Sequence, residues 1–481
     1  MIKENSFRIQ KILFAIISVT IMIFAAIRSV PLVFTCVLFV FVLSLYYCLL
    51  DLKNRSGYLV FLLSFFLFLL GGEVAENFFG FPLEGKFSKS ITEHAYVSLL
   101  LSLIFCFLGF FFADRVDFKS KNRCYNEENN EKRIYLLRKI SFLGIVITSV
   151  PMLLRGIEAG MYVAKNGYLS YYTTYKSSLP TALMSLAEMF TMFIFLYLAI
   201  MPTKKKCILP MTLYLIYGAI GIFTGRRVLL GTVIMVMLFY IIVRNKMNPE
   251  EKWITKKTVI IFAVLAVILV IFFYNYKYIR YGDKGKETNP FRMLLGFLSQ
   301  QGVSVNVIKY QKLFEGDSLG ITSLYWTFKY LRTSYLTGDL FLISDQIYDY
   351  RSLDTVLFTN NLADYIQYNI SVSDYFSGYG YGTSFIAEAY HDFGYLGVGA
   401  ISMLYGFLLS KLYSFKKSVN NVWRIAIALL MLEQFVILPR YSADVILKPF
   451  YNLTNVVLFT VIVIFVELYS RSNYYALCKE Y

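Results

Sequence analysis

The chain has 481 residues, of which 57% are hydrophobic and 16% charged, with 44 Phe and 40 Tyr. Soluble domains run at about 45–50% apolar and about 25% charged, so this composition excludes a soluble multidomain protein, a disordered chain and a coiled coil, and leaves an all-α polytopic membrane protein. The net charge of +16 does not call for nucleic acid, because Lys and Arg collect in cytoplasmic loops and a basic site also suits an anionic lipid head group.

A helix crosses the hydrocarbon core with about 20 mostly apolar residues. Twelve stretches are read as spans: residues 12–27, 30–50, 58–72, 95–113, 140–156, 181–201, 208–223, 228–243, 258–274, 393–413, 422–438 and 445–469. Only Thr224-Gly225-Arg226-Arg227 interrupts 208–243, which reads as two spans joined by a tight turn. Lys3, Arg8 and Lys11 precede the first stretch and no small-residue cleavage site follows it, so it reads as an uncleaved anchor.

The connections alternate in charge. One set holds Lys53 and Arg55, the run from Arg115 to Lys139, Lys204-Lys205-Lys206, Arg244 to Lys257, and Lys411 to Arg424. The other set is poorer in Lys and Arg; residues 73–94 carry Glu73, Glu76, Glu84 and Glu93 against Lys86 and Lys89. The positive-inside rule places both termini in the cytoplasm. Three regions follow: 1–274 with nine spans, 275–392 as a long extracytoplasmic loop, and 393–481 with the last three. Within the loop, residues 291–310 and 319–335 are predicted as amphipathic helices on the membrane surface.

Cys36, Cys48 and Cys106 fall in spans, and Cys124, Cys207 and Cys478 on the cytoplasmic side, so the long loop has no disulfide. The two histidines, His94 and His391, are far apart, and no Cys or His cluster has zinc-ligand spacing. There is no Asp-x-Asp pair for a metal-bound nucleotide diphosphate and no P-loop. This disfavours an ATP-driven pump and a metal-dependent nucleotide-sugar enzyme; no cofactor is expected.

Three clusters at the outer surface of this topology have chemistry to offer. Arg226 and Arg227, after Thr224-Gly225, can grip phosphate with forked hydrogen bonds; the competing reading is snorkelling onto anionic lipid. Glu388 and Asp392 are spaced four apart, with His391 near the same helical face. A carboxylate at a membrane boundary suits general acid–base work, whereas carboxylates at a helix start also simply complement its dipole. Gly394, Gly397 and Gly399 would let another helix approach closely. Arg440 lies just past an apolar stretch, with Glu433 or Asp444 as alternative structural partners. The loop adds Lys277, Arg280, Lys284, Lys286 and Arg292 near its start. Its tyrosines, and those of 162–175, suit sugar faces or an interfacial aromatic belt.

The chain resembles the Wzy-type polymerases of O-antigen and capsular repeat units. The resemblance rests on about twelve spans and a late outer loop. It also rests on Thr224-Gly225-Arg226-Arg227-Val228-Leu229-Leu230 opening a span, and on Ala387-Glu388-Ala389-Tyr390-His391-Asp392-Phe393-Gly394-Tyr395-Leu396-Gly397 before another. Arg440-Tyr441-Ser442 resembles the family's arginine-plus-small-residue signature, often Arg-Gly-Ser, from which Tyr441 departs. A related subgroup has a large loop between its first two spans; here that connection is only Arg28-Ser29-Val30. The resemblance implies a GT-C-like, late-loop membrane protein of the bacterial cytoplasmic membrane. It implies a substrate, an oligosaccharide repeat on undecaprenyl pyrophosphate, joined to the next unit on the outer leaflet without nucleotide or metal. A chain-length regulator and a flippase are the implied partners. In that setting Arg226, Arg227, Arg280 and Arg440 are expected to bind pyrophosphate, and Glu388, His391 or Asp392 to act as base. An O-antigen ligase, for which His391 would be the telling residue, a lipid-linked oligosaccharide flippase or other transporter, and a non-enzymatic assembly protein remain the alternatives.

Overall fold

Backbone polar groups in lipid must close their own hydrogen bonds, and in the computed structural model the described residues of the apolar stretches are mostly helical, the last stretch being divided among Ala443–Leu447, Lys448–Tyr451 and Leu453–Leu477. The structure describes residues 2–116, 127–281, 287–316, 319–333, 351–414, 422–451 and 453–477. Ten helices among the described residues are long and apolar enough to cross a membrane. Ala443–Tyr451 and Thr454–Ser470, bent by 64°, make an eleventh if taken as one span, and Lys11–Ile27 is a shorter apolar helix. The protein is thus an all-helical polytopic membrane protein with ten or eleven long apolar helices, against twelve stretches read from the sequence.

Several helices outrun their apolar stretches because polar residues cap them further out. Asp51 accepts from the Asn54 N–H and starts Leu52–Phe79. Ser88 accepts from the Ile91 N–H and starts Lys89–Arg115. The stretch 140–156 is the middle of a 40-residue helix, Glu127–Asn166. The helix expected from residue 393 begins at Phe385 and breaks at Phe393 and Gly394, where Gly394 takes φ 60° and ψ −151°, a conformation open to glycine.

Leu52–Phe79 lies at the centre of the bundle, with Tyr58, Val60, Leu62 and Phe65 fully buried. Lys256–Tyr276 lies at its edge and exposes Val259, Ile260, Val264 and Val267, as a helix facing lipid does. The glycines read as contact points behave differently from one another. Gly399 meets the Phe105 ring, Gly397 lies against Ala389 O across the break in its own helix, and the closest crossing falls further along at Gly406 and Gly109.

Residues 291–310, expected as one helix on the membrane surface, form two helices drawn into the bundle, Pro290–Gly302 and Ser304–Leu313. Asn289 caps the first by accepting from the N–H groups of Phe291 and Arg292. Gly302 passes backbone to backbone against Gly72. Val305, Val307 and Ile308 are fully buried, and the Lys309 ammonium meets Glu73 at 2.5 Å. Residues 304–309 are buried at successive positions, so the second helix has no exposed side there, whereas Phe291, Arg292 and Leu294 of the first stay exposed. Within 319–335, the helix runs from Tyr325 to Thr333.

Candidate functional site

The three motif clusters meet at one end of the bundle. Thr224-Gly225-Arg226 turns the chain between Lys204–Phe223 and Arg227–Met247. Gly225 has φ 78°, and a Cβ there would fall 2.0 Å from the Tyr168 ring, so both dihedral and space demand glycine. The turn sends its two arginines apart. Arg227 Nη1 donates to Phe273 O and to Gln300 Oε1, each at 3.0 Å. Arg226 is exposed; its Nε donates to Thr224 Oγ1 at 3.2 Å and its guanidinium stands 5.1 Å from the Tyr171 ring centre. Arg440 Nη1 reaches Gln301 Oε1 at 3.4 Å. Neighbouring glutamines of Pro290–Gly302 therefore receive arginines from two different motifs. The Arg280 side chain, like those of Lys277, Lys284 and Lys286, lies outside the described part.

The carboxylates of the second and third clusters are engaged as anchors. Glu388 is buried; its Oε1 accepts from Thr383 Oγ1 and its Oε2 from the Ala443 N–H, both at 2.8 Å. Asp392 takes four hydrogen bonds from the N–H and hydroxyl groups of Thr322 and Ser323, at 2.5 to 3.0 Å. Asp444 accepts from Thr327 N, Thr327 Oγ1 and Ser442 Oγ. Glu388, His391 and Asp392 share a helix but not a set of partners. His391 is half-buried, and among the described residues no hydrogen bond reaches its ring. His94, distant in sequence, comes to the same turn: its Nδ1 is 2.9 Å from Tyr395 OH and its ring centre 4.3 Å from that of Tyr390.

Beside the Arg226 turn lies a cavity of about 680 Å³. Arg155, Arg226 and Lys448 bring positive charge to it, Glu188 and Glu433 negative charge, and Tyr171, Tyr175, Tyr217, Tyr330 and Tyr451 aromatic faces. Arg155 and Glu188 pair at 3.2 Å. Glu433 Oε1 accepts from Tyr214 OH at 2.6 Å. The tyrosine turn on one wall is gathered by Glu158, whose oxygens accept from Tyr175 OH, Ser177 Oγ, and the N–H and Oγ of Ser178. Burial pushes the nearby Tyr172 phenol well above its ordinary range, with the Tyr168 phenol adding to the rise. Of the residues singled out from the sequence, Arg226 lines this cavity; Arg227, Arg440, Glu388, His391 and Asp392 do not.

Sequence reasoning missed Arg155, Glu188 and Lys448 and gave Glu433 only a structural part. The signal was there, since all four of these charges fall inside stretches read as spans, where an ionisable residue is by default a functional candidate. Among the described residues no group of three or more His, Cys, Asp or Glu is placed to hold a metal ion. No curated protein and no solved structure matches the chain. The family model of the O-antigen polysaccharide polymerase Wzy does match it, over residues 7–473, and the chain belongs to this family of multi-pass membrane polymerases of the glycosyltransferase type.

Proposed function

We propose that the protein lengthens a surface polysaccharide by joining oligosaccharide repeat units carried on undecaprenyl pyrophosphate, at the outer leaflet of the bacterial cytoplasmic membrane. The observation that carries this reading is Arg226, exposed in a tyrosine-walled cavity that Arg155 and Lys448 also line. When the glycosidic bond to the carrier breaks, charge develops on the departing pyrophosphate. Fixed cations aimed at that charge are the largest contribution a protein can make. Arg226 supplies the guanidinium for it, and Arg155 and Lys448 add charge from other walls of the same cavity. The tyrosines offer faces for the sugars. Arg227 and Arg440, seated on Gln300 and Gln301, tie the Arg226 turn and the 438–444 segment to one helix, and are proposed as further phosphate contacts on their sequence motifs. Arg280 is proposed as a phosphate contact on its sequence position. A flippase that delivers the units and a regulator that sets chain length are the partners this reaction needs.

The test uses purified protein and lipid-linked repeat units extracted from a strain lacking the polymerase. Chain growth with release of undecaprenyl pyrophosphate, and with no nucleotide sugar added, is the expected result. Growth that depends on an added nucleotide sugar overturns the donor. In cells, loss of the gene leaves single repeat units exported and attached. Long polymer held on the carrier would instead favour the ligase reading, and single units trapped inside the flippase reading.

A further inference from the structure

We infer that Glu433 is the catalytic base that takes the proton from the acceptor sugar's hydroxyl, with Tyr214 holding it in place; this rests on the cavity reading above. Transfer between two sugars needs a proton acceptor as well as a stabilised leaving group. The bundle end is rich in carboxylates, and their hydrogen bonds sort them. Glu388 has both oxygens engaged by Thr383 and Ala443. Asp392 has both engaged by Thr322 and Ser323. Asp444 has both engaged by Thr327 and Ser442. Each of these holds backbone in place and lies away from the cavity.

Glu433 differs on every count. It lines the cavity that Arg226 lines. Its Oε1 accepts the Tyr214 phenol at 2.6 Å, and among the described residues no hydrogen bond reaches its Oε2. Tyr214 is fully buried, and its ring is fixed edge-on against Phe195 at 5.3 Å. One carboxylate oxygen is thus locked and the other left available, an orientation that a general base requires. Tyr217 lies one helical turn on from Tyr214 and lines the cavity together with Glu433 and Arg226, which places base and phosphate-binding cation around one volume.

The step balances without a further reactant. The acceptor hydroxyl oxygen forms a bond to the donor's anomeric carbon. The bond from that carbon to the pyrophosphate oxygen breaks, and its electron pair leaves with the lipid pyrophosphate. The hydroxyl proton passes to Glu433 Oε2 and from there to water.

Two measurements on the full-length purified protein separate this proposal from the reading it rests on: chain-lengthening turnover with extracted lipid-linked repeat units, and binding of undecaprenyl pyrophosphate itself. Glu433→Gln keeps an acceptor for Tyr214 and is expected to lower kcat by about 100-fold or more, while KM and undecaprenyl pyrophosphate binding stay within about twofold. Glu433→Asp should recover part of the turnover. Tyr214→Phe, which leaves the carboxylate in place but unheld, should lower kcat with KM unchanged. A Glu433→Gln protein whose turnover stays within about threefold of the parent overturns the base, as does one that loses carrier binding in step with turnover. Arg226→Ala tests the cavity separately. Weaker undecaprenyl pyrophosphate binding is expected, and unchanged binding and turnover overturn the cavity reading whatever Glu433 does.

Discussion

Glu388 accepts the backbone N–H of Ala443 at 2.8 Å. That single bond ties the helix Phe385–Tyr413 to the segment that follows Arg440, so two motifs separated by some fifty residues act as one structural unit. Thr383 Oγ1 completes the arrangement on the other oxygen. The carboxylate is 3% exposed, and both of its partners donate.

A glutamine fits this environment. Its carbonyl oxygen can accept from Ala443 N–H while its amide donates to the Thr383 hydroxyl, which serves as donor or acceptor. Glu388→Gln is therefore expected to keep long polymer and near-parental thermal stability. Glu388→Ala leaves the Ala443 N–H buried without an acceptor, at a cost of about 1–3 kcal/mol, and should lower the melting temperature of the purified protein. Loss of polymer in a fully stable Glu388→Gln protein would assign the carboxylate a chemical role instead.

The Lys309–Glu73 pair sets up a second test. Glu73 is fully buried and Lys309 3% exposed, and Tyr96 OH donates to the second Glu73 oxygen at 2.6 Å. The pair joins the helix Ser304–Leu313 to Leu52–Phe79. Removing one partner strands a buried charge, which costs about 3–5 kcal/mol, whereas replacing both with apolar groups is often neutral. Lys309→Met and Glu73→Leu should each deplete the protein from membranes, and the double variant should restore much of the level. Single variants at parental levels, measured by immunoblot, would remove the pair as a docking contact.

The crossing of Lys89–Arg115 and Phe385–Tyr413 depends on missing side chains. A Cβ at Gly406 would lie 2.0 Å from Cys106 O, and one at Gly109 2.1 Å from Met403 O. Both obstacles are backbone and cannot turn aside. Gly406→Val is expected to abolish accumulation, since even modest overpacking costs about 1–3 kcal/mol. Gly399→Ala meets only the Phe105 ring at 3.3 Å and should be tolerated. Comparable membrane levels for both variants would show that the crossing is looser than this geometry requires.

The sequence was most legible where one physical rule dominates. Lipid demands long apolar helices, so each apolar stretch could be found, and Gly225 announced the turn that splits 208–243. Legibility failed where burial is decided by partners distant in the chain. Residues 291–310 read as an amphipathic helix on the membrane surface, yet residues 304–309 are buried in the bundle, where Lys309 meets Glu73. The same holds for the candidate site. Arg226 stood out beside its glycine, but Arg155, Glu433 and Lys448 reach its cavity from three separate helices and share no local motif. Asp392 looked like a base by spacing from Glu388; its four hydrogen bonds come from Thr322 and Ser323, which no helical pattern connects to it.

Arg226 and Arg227 are adjacent in sequence and differ in what holds them, so their substitutions should fail in different ways. Arg227 donates to Phe273 O and Gln300 Oε1, and its removal leaves those acceptors without that donor. Arg227→Ala is expected to lower thermal stability by about 1–3 kcal/mol and to reduce polymer together with protein level. Arg226 faces the cavity and, besides its bond to Thr224, leans on the Tyr171 ring; exposed contacts of this kind contribute roughly 0.5–1 kcal/mol. Arg226→Ala should accumulate normally yet leave only single repeat units on the surface, as shown by gel analysis of the glycan beside an immunoblot of the membranes. Arg226→Lys keeps the charge but not the forked geometry and is expected to give short chains. Near-normal chain length in Arg226→Ala would sink the proposed grip on pyrophosphate, because no structural loss would be available to explain the result away.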